Sequence, residues 1–106
     1  MSEIHFISLI KLIQTPEIFN SKEIRVIGFA GIEFEHKAIY VSIEDYDNAI
    51  TKNAIWIDIE LNDKTKSLNK KYVLIEGVFD LTNLGHLKMF SGTITNIERI
   101  EEWTNK

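Results

Sequence analysis

A mainly β domain is what this sequence predicts: five short strands closing into a small Greek-key barrel, with a helix in front of them. Three observations carry that expectation. Two apolar runs, Tyr72 to Phe79 and Met89 to Ile97, flank a polar turn region at Asp80, Asn83 and Gly85, and the runs hold internal glycines, Gly77 and Gly92. Glycine inside a strand marks a bulge, a bend or a close backbone approach, and two bent antiparallel strands are what a tightly curved barrel requires. A third run, Glu23 to Phe34, is long, alternating and centred on Gly28, as a first strand serving two halves of a barrel would be. Finally, 106 residues with 44% hydrophobic and 26% charged side chains make one domain, residues 1–106. A chain of this size buries roughly 65% of its unfolded surface, enough to fold without staples.

The elements follow in order. Phe6, Leu9, Ile10 and Ile13 have the spacing of an amphipathic helix. Thr15-Pro16-Glu17 reads as a fresh start, with a threonine cap, proline at the first position and an acid in the first turn, so helical structure spans about 6–19. In Glu23 to Phe34, Ile24, Val26, Gly28, Ala30, Ile32 and Phe34 share one face, and Arg25, Ile27, Phe29, Gly31 and Glu33 the other. Phe29, Phe34 and Tyr72 are expected in the core. Glu35-His36-Lys37 reads as a hairpin turn leading to a second strand, Ala38 to Ile43. Glu44 to Asn53 is polar, with turn and cap residues. Ala54 to Leu61 alternates again, Ile55, Ile57 and Ile59 against Trp56, Asp58 and Glu60. Asn62 to Lys70 reads as a charged loop, the two glycine-bearing strands follow, and Trp103 is expected to tuck the tail against the barrel. Strands grouped three and then two, with a bent first strand and a long break after the third, describe an OB-like barrel spanning about 23–100. The helix usual in that break is reduced to a turn, and the amino-terminal helix is expected to plug the barrel end instead. An SH3-like barrel or small α+β roll is the competing architecture, and an exposed edge is expected between the third and fifth strands.

Composition narrows the function classes. The chain has no cysteine, which excludes disulfides, thiolate catalysis and cysteine-ligated zinc. The apolar amino terminus is broken by Glu3, His5 and Lys11 and lacks the pattern of a signal peptide, and no run approaches a membrane span, so a cytoplasmic protein is expected. A net charge of −4 disfavours nucleic acid as partner and favours a basic protein. The histidines His5, His36 and His86 are not spaced as metal ligands, and no serine elbow, phosphate loop or dinucleotide fingerprint appears. No catalytic residue, metal or cofactor is therefore expected. His36 reads as a surface histidine, and Gly85 and His86 as a structural turn, the imidazole donating to a loop carbonyl. Phe29, Phe34, Tyr40, Tyr46 and Trp56 stand among acids, whereas Lys64, Lys66, Lys70 and Lys71 gather on a different segment, which weakens a stacking groove for single strands. Tyrosine and tryptophan rimmed by carboxylates suit a protein interface, and Tyr40, Glu44, Asp45, Tyr46, Asp47, Trp56 and Asp58 are the expected partner-binding residues.

The stretches VIGFAGIEFEHKAIYVSIEDYDNAITKNAIWIDI and KYVLIEGVFDLTNLGHLKMFSGTITNIERI resemble a group of small, uncharacterised bacterial single-domain proteins, from about Phe6 to Trp103. The most specific pieces are Glu44-Asp45-Tyr46, Thr51 to Trp56, Gly85-His86-Leu87 and Phe90-Ser91-Gly92. That resemblance implies the fold and a bacterial origin. In size, charge and missing chemistry the chain is also similar to the small acidic immunity proteins of secreted toxins, including those of contact-dependent inhibition systems. This second likeness implies a non-enzymatic module neutralising a basic toxin domain such as a nuclease; a single-stranded nucleic-acid binder is the alternative.

Overall fold

The computed structural model describes residues 3–104. These residues are mainly β, with six strands in one sheet and four short helices among them. β1 (His5–Phe6) leads into α1 (Leu9–Gln14) and α2 (Pro16–Phe19), followed by β2 (Glu23–Glu33), β3 (His36–Tyr40) and α3 (Ile43–Asp47). A 3-10 turn (Thr51–Asn53) enters β4 (Ala54–Ile57); α4 (Asp63–Lys66), β5 (Tyr72–Asp80), a second 3-10 turn (His86–Lys88) and β6 (Thr93–Glu102) complete the chain. The hydrogen bonds close in a ring, β2 to β3 to β4 to β6 to β5 and back to β2, with β1 added in parallel to the start of β2. The edge expected between the third and fifth strands is thus closed, because β4 and β6 pair in parallel through Trp56–Thr93 and Ile57–Ile94. No helix among the described residues is long and apolar enough to cross a membrane.

The long strand changes partner at its middle, as its glycine predicts. Glu23 to Phe29 pair with β5, and Phe29 to Glu33 with β3. Once β2 leaves β5, the backbone groups of Ala30 and Ile32 on that side need new partners. The segment after α4 supplies them: Lys70 N donates to Ala30 O, Lys71 O accepts from Ala30 N, and Asn69 Oδ1 accepts from Ile32 N. The charged loop 62–70 is therefore one capped helical turn, with Asn62 and Thr65 bonded reciprocally, laid along β2.

One face of β2 reads Ile24, Val26, Ala30 and Ile32, all buried, and joins Ile39, Ile55, Ile57, Val73, Ile75, Phe79 and Ile94 inside the ring. Leu9, Leu12 and Phe19 enter the same cluster, so the amino-terminal helices cover the interior as expected. The helical region breaks at Thr15, where Pro16 opens α2, and Phe6 belongs to β1 rather than to the helix.

Several boundaries differ from expectation. The second strand begins at His36, since the turn is the two-residue Phe34-Glu35, with Glu35 at φ 65°. Phe34 points off that turn and is 82% exposed, and Tyr72 is 40% exposed, so of the three aromatics expected in the core only Phe29 is buried. The last strand runs Thr93–Glu102 rather than Met89–Ile97. Asn96, Ile97 and Glu98 of β6 face the single residue Gly77 of β5, a bulge that interrupts the alternation at Ile97, while Ile94 before it and Ile100 after it are both buried. Trp103 N donates to Tyr72 O, which ties the tail to β5, although the residue is 42% exposed.

Candidate functional site

On the outside of β2, β3 and β4, period-two alternation places Phe29, Gly31, His36, Ala38, Tyr40, Ala54 and Trp56 on one face. The small residues of this face leave a floor on which aromatic rings lie. Tyr46 reaches back from α3, its ring 5.3 Å from Phe29 and 5.4 Å from Tyr40. His36 stacks on Tyr40 at 5.8 Å and meets Phe90 at 6.0 Å. Phe90 lies 5.3 Å from Trp56, and the His86 ring stacks on Trp56 at 6.1 Å. Tyr72 closes the other end, 5.2 Å from Phe29. A continuous aromatic arc thus crosses the sheet. Edge-to-face and stacked pairs of this kind add about 0.5–1.5 kcal/mol each beyond burial.

Local chemistry explains each element that brings these rings together. α3 is capped by Ser42, whose Oγ accepts from Asp45 N at 3.2 Å. Glu44 and Asp45 occupy its first turn, where carboxylates meet the positive end of the helix dipole. The polar stretch 44–53 is therefore a helical turn and a 3-10 turn rather than an open loop. Residues 81–92 are held by Asp80, whose carboxylate accepts from Thr82 Oγ1 and N and stays below its usual range for that reason. Asn83 Oδ1 accepts from Gly85 N, and Thr93 Oγ1 donates to Asn83 O. Gly85 has φ 74°, and a Cβ there would stand 2.7 Å from Trp56 Cβ, so the turn needs glycine for both reasons. The expected donation from the His86 ring to a loop carbonyl is not found among the described residues; that ring lies on Trp56 instead.

The structure brings together part of the expected partner surface. Glu44 and Asp47 are exposed on α3 beside half-buried Tyr46, and Trp56 is half-buried at the far end of the arc. Asp45 is partly engaged within the chain, accepting from Asn53 Nδ2 at 3.2 Å. Tyr40 departs from expectation: at 1% exposed it lies beneath Tyr46 and His36, and supports the surface rather than presenting itself. Asp58 is exposed but lines a separate cleft with Asn62, Lys64 and Arg99, away from α3.

Three contributors are absent from the partner-binding residues that the sequence suggests. Lys37 Nζ stands 5.9 Å from the Trp56 ring while donating to Ile59 O at 3.0 Å. Leu87 is 75% exposed beside His86, at φ 56°, a conformation that costs an ordinary side chain about 1 kcal/mol. His36, expected on the surface, is a half-buried keystone whose Nε2 lies 3.3 Å from Tyr40 Oη. The period-two alignment of His36, Ala38 and Tyr40 is the available signal, and a turn at Glu35-His36-Lys37 obscures it.

Burial lowers the pKa of His36 from 6.5, with Glu33 opposing and His86 reinforcing the shift. The fold therefore favours neutral imidazole. Stability is fully present above the unfolded value near 6.5 and falls as pH drops through it toward the folded value. We expect the urea midpoint to decline as pH falls through the unfolded value near 6.5, above the window of the carboxylates. His36→Gln should flatten that decline; an unaltered slope would assign it elsewhere.

Comparison with family models and with curated proteins returned no match to this chain.

Proposed function

We propose that the chain is an OB-like Greek-key barrel that binds a basic protein without catalysing a reaction, as a bacterial immunity protein neutralising a toxin such as a nuclease does. The cyclic order β2-β3-β4-β6-β5, with β4 parallel to β6 and a bent first strand, supports the barrel reading. One observation carries the interface. The two most exposed large apolar side chains among the described residues, Phe34 at 82% and Leu87 at 75%, stand on tight turns adjoining the aromatic arc. Apolar groups held in solvent by ordered turns, next to half-buried Trp56 and Tyr46, have the makeup of an interface core. Glu44 and Asp47 add a carboxylate rim that steers a basic partner.

The test begins with an affinity-tagged chain and the stoichiometric basic protein it retains at moderate salt. Glu44→Lys with Asp47→Lys, both exposed and free of the Asn53 bond, should slow association with that protein at low salt by about tenfold or more. An unchanged rate would remove the electrostatic part of the proposal.

Lys37 above Trp56, with His86 stacked on the same ring, favours a second reading, a single-stranded nucleic-acid platform. It requires binding that weakens by about 0.7 log units per tenfold salt for each phosphate contact. Undetectable binding at low salt would eliminate it.

A further inference from the structure

Along β2, successive residues turn their backbone groups to opposite edges of the strand. Lys22 O accepts from Phe79 N, and Ala30 pairs with Lys70 and Lys71, so even-numbered residues face β5 and the loop before it. Odd-numbered residues face the other way: Arg25 O accepts from Ile7 N at 3.1 Å, and Phe29 pairs with Tyr40 of β3. Ile27 lies between these two ladders. β1 has already ended at Phe6 and the chain has turned into α1, while beyond Tyr40 the Val41 amide donates to Asn53 O instead. The Ile27 N–H and C=O therefore face a gap and meet no backbone partner among the described residues.

That gap is a cleft of about 530 Å3, walled by Phe6, Ile7, Ile10, Ile27 and Val41. Phe6 and Ile10 are 59% and 51% exposed on its rim. Past Ile10 and Val41 it continues into a smaller hollow of about 210 Å3 bordered by Gln14 and Asn53. Asn53 in turn donates to Asp45, so the polar end of the groove abuts acidic α3.

The chemistry of the walls selects the occupant. Whatever covers the cleft dries one donor and one acceptor, and leaving either unpaired is costly. A lipid chain offers neither group, and a helix has spent its own on internal bonds. An extended peptide residue presents one N–H and one C=O along the same edge, as a β-bridge requires. We propose that this cleft takes one residue of an extended segment from a protein partner. Its backbone pairs with Ile27 and bridges the break between β1 and β3. Its leucine-sized side chain enters between Phe6, Ile10 and Val41. The residue leading toward Gln14 and Asn53 is basic, matched to the carboxylates of α3. This site lies apart from the aromatic arc and stands whether or not that face binds a partner.

The test uses amide NMR on the full chain with the capped peptide acetyl-Ala-Leu-Ala-Lys-amide as probe. In the free protein the Ile27 amide should exchange with solvent on the order of 100-fold faster than those of Val26 and Gly28, which face β5. Titration should shift Phe6, Ile27 and Val41 saturably, leaving Tyr46 and Trp56 in place. Methylating the leucine nitrogen, which removes the donor, should weaken binding about tenfold. An Ile27 amide as protected as its neighbours, or equal binding of the methylated peptide, would overturn the proposal. So would shifts at Ile27 that follow protein concentration alone, which would assign the cleft to a second copy of the chain.

Discussion

Gly92→Ala loses about 3 kcal/mol of stability, combining the left-side backbone cost with overpacking. Gly92 holds φ 136°, where an L side chain is strained whatever the space around it. The space is also absent: a Cβ would stand 2.6 Å from Phe79 Cε1 and 2.7 Å from Cζ. Phe79 is fully buried in the ring interior, where close packing opposes its displacement. For a domain of this size such a loss lowers the thermal midpoint by roughly 10 °C or more. The same substitution disturbs the aromatic arc, because Gly92 O accepts from Trp56 N at 2.9 Å. Urea unfolding of Gly92→Ala alone and in a Phe79→Leu background separates the two contributions. Relief in the second background isolates the clash, and a single variant within about 0.5 kcal/mol of the parent would contradict this account of the position.

Leu12→Ala costs a similar amount, about 3 kcal/mol, whereas Ile10→Ala two residues earlier stays within about 0.5 kcal/mol. Leu12 is 0% exposed and belongs to the cluster inside the ring; Ile10 on the same helix is 51% exposed. α1 has six residues and is far too short to be stable alone, so only docking maintains it. Its cap, Ser8 Oγ accepting from Lys11 N, sets where it starts but cannot supply that stability. Equal effects of the two substitutions, read from the urea midpoint, would mean that α1 does not close the ring interior.

The candidate site was legible in part. Tyr46, Trp56, Glu44 and Asp47 could be picked out because aromatics beside acids stand out from the composition. Tyr40 could not be told from them, since a tyrosine on a strand looks the same whether α3 covers it or leaves it open; its 1% exposure comes from Tyr46 folding back. Asp58 shares a strand face with Trp56 in sequence, but the cleft it lines belongs to the chain around α4 and β6. Lys37 and Phe90 reach the arc only through the hairpin and the loop 81–92, contacts that local sequence does not specify.

By itself the sequence determined a mainly β chain, the break in its helices at Thr15, and the division of the long strand near Gly28 between two partners. These rest on periodicity, proline and glycine stereochemistry, which act within a few residues. Only the tertiary structure decided the rest. The short β1 exists because β2 offers an edge at Ile24 and Arg25. The true span of β6 is hidden by its own bulge, since three residues opposite Gly77 interrupt the alternation and turn Ile97 toward the core between Ile94 and Ile100. Ring closure through β4 and β6, the burial of Tyr40 and the unpaired edge of Ile27 all depend on which distant segments meet, and no local pattern of side chains encodes that choice.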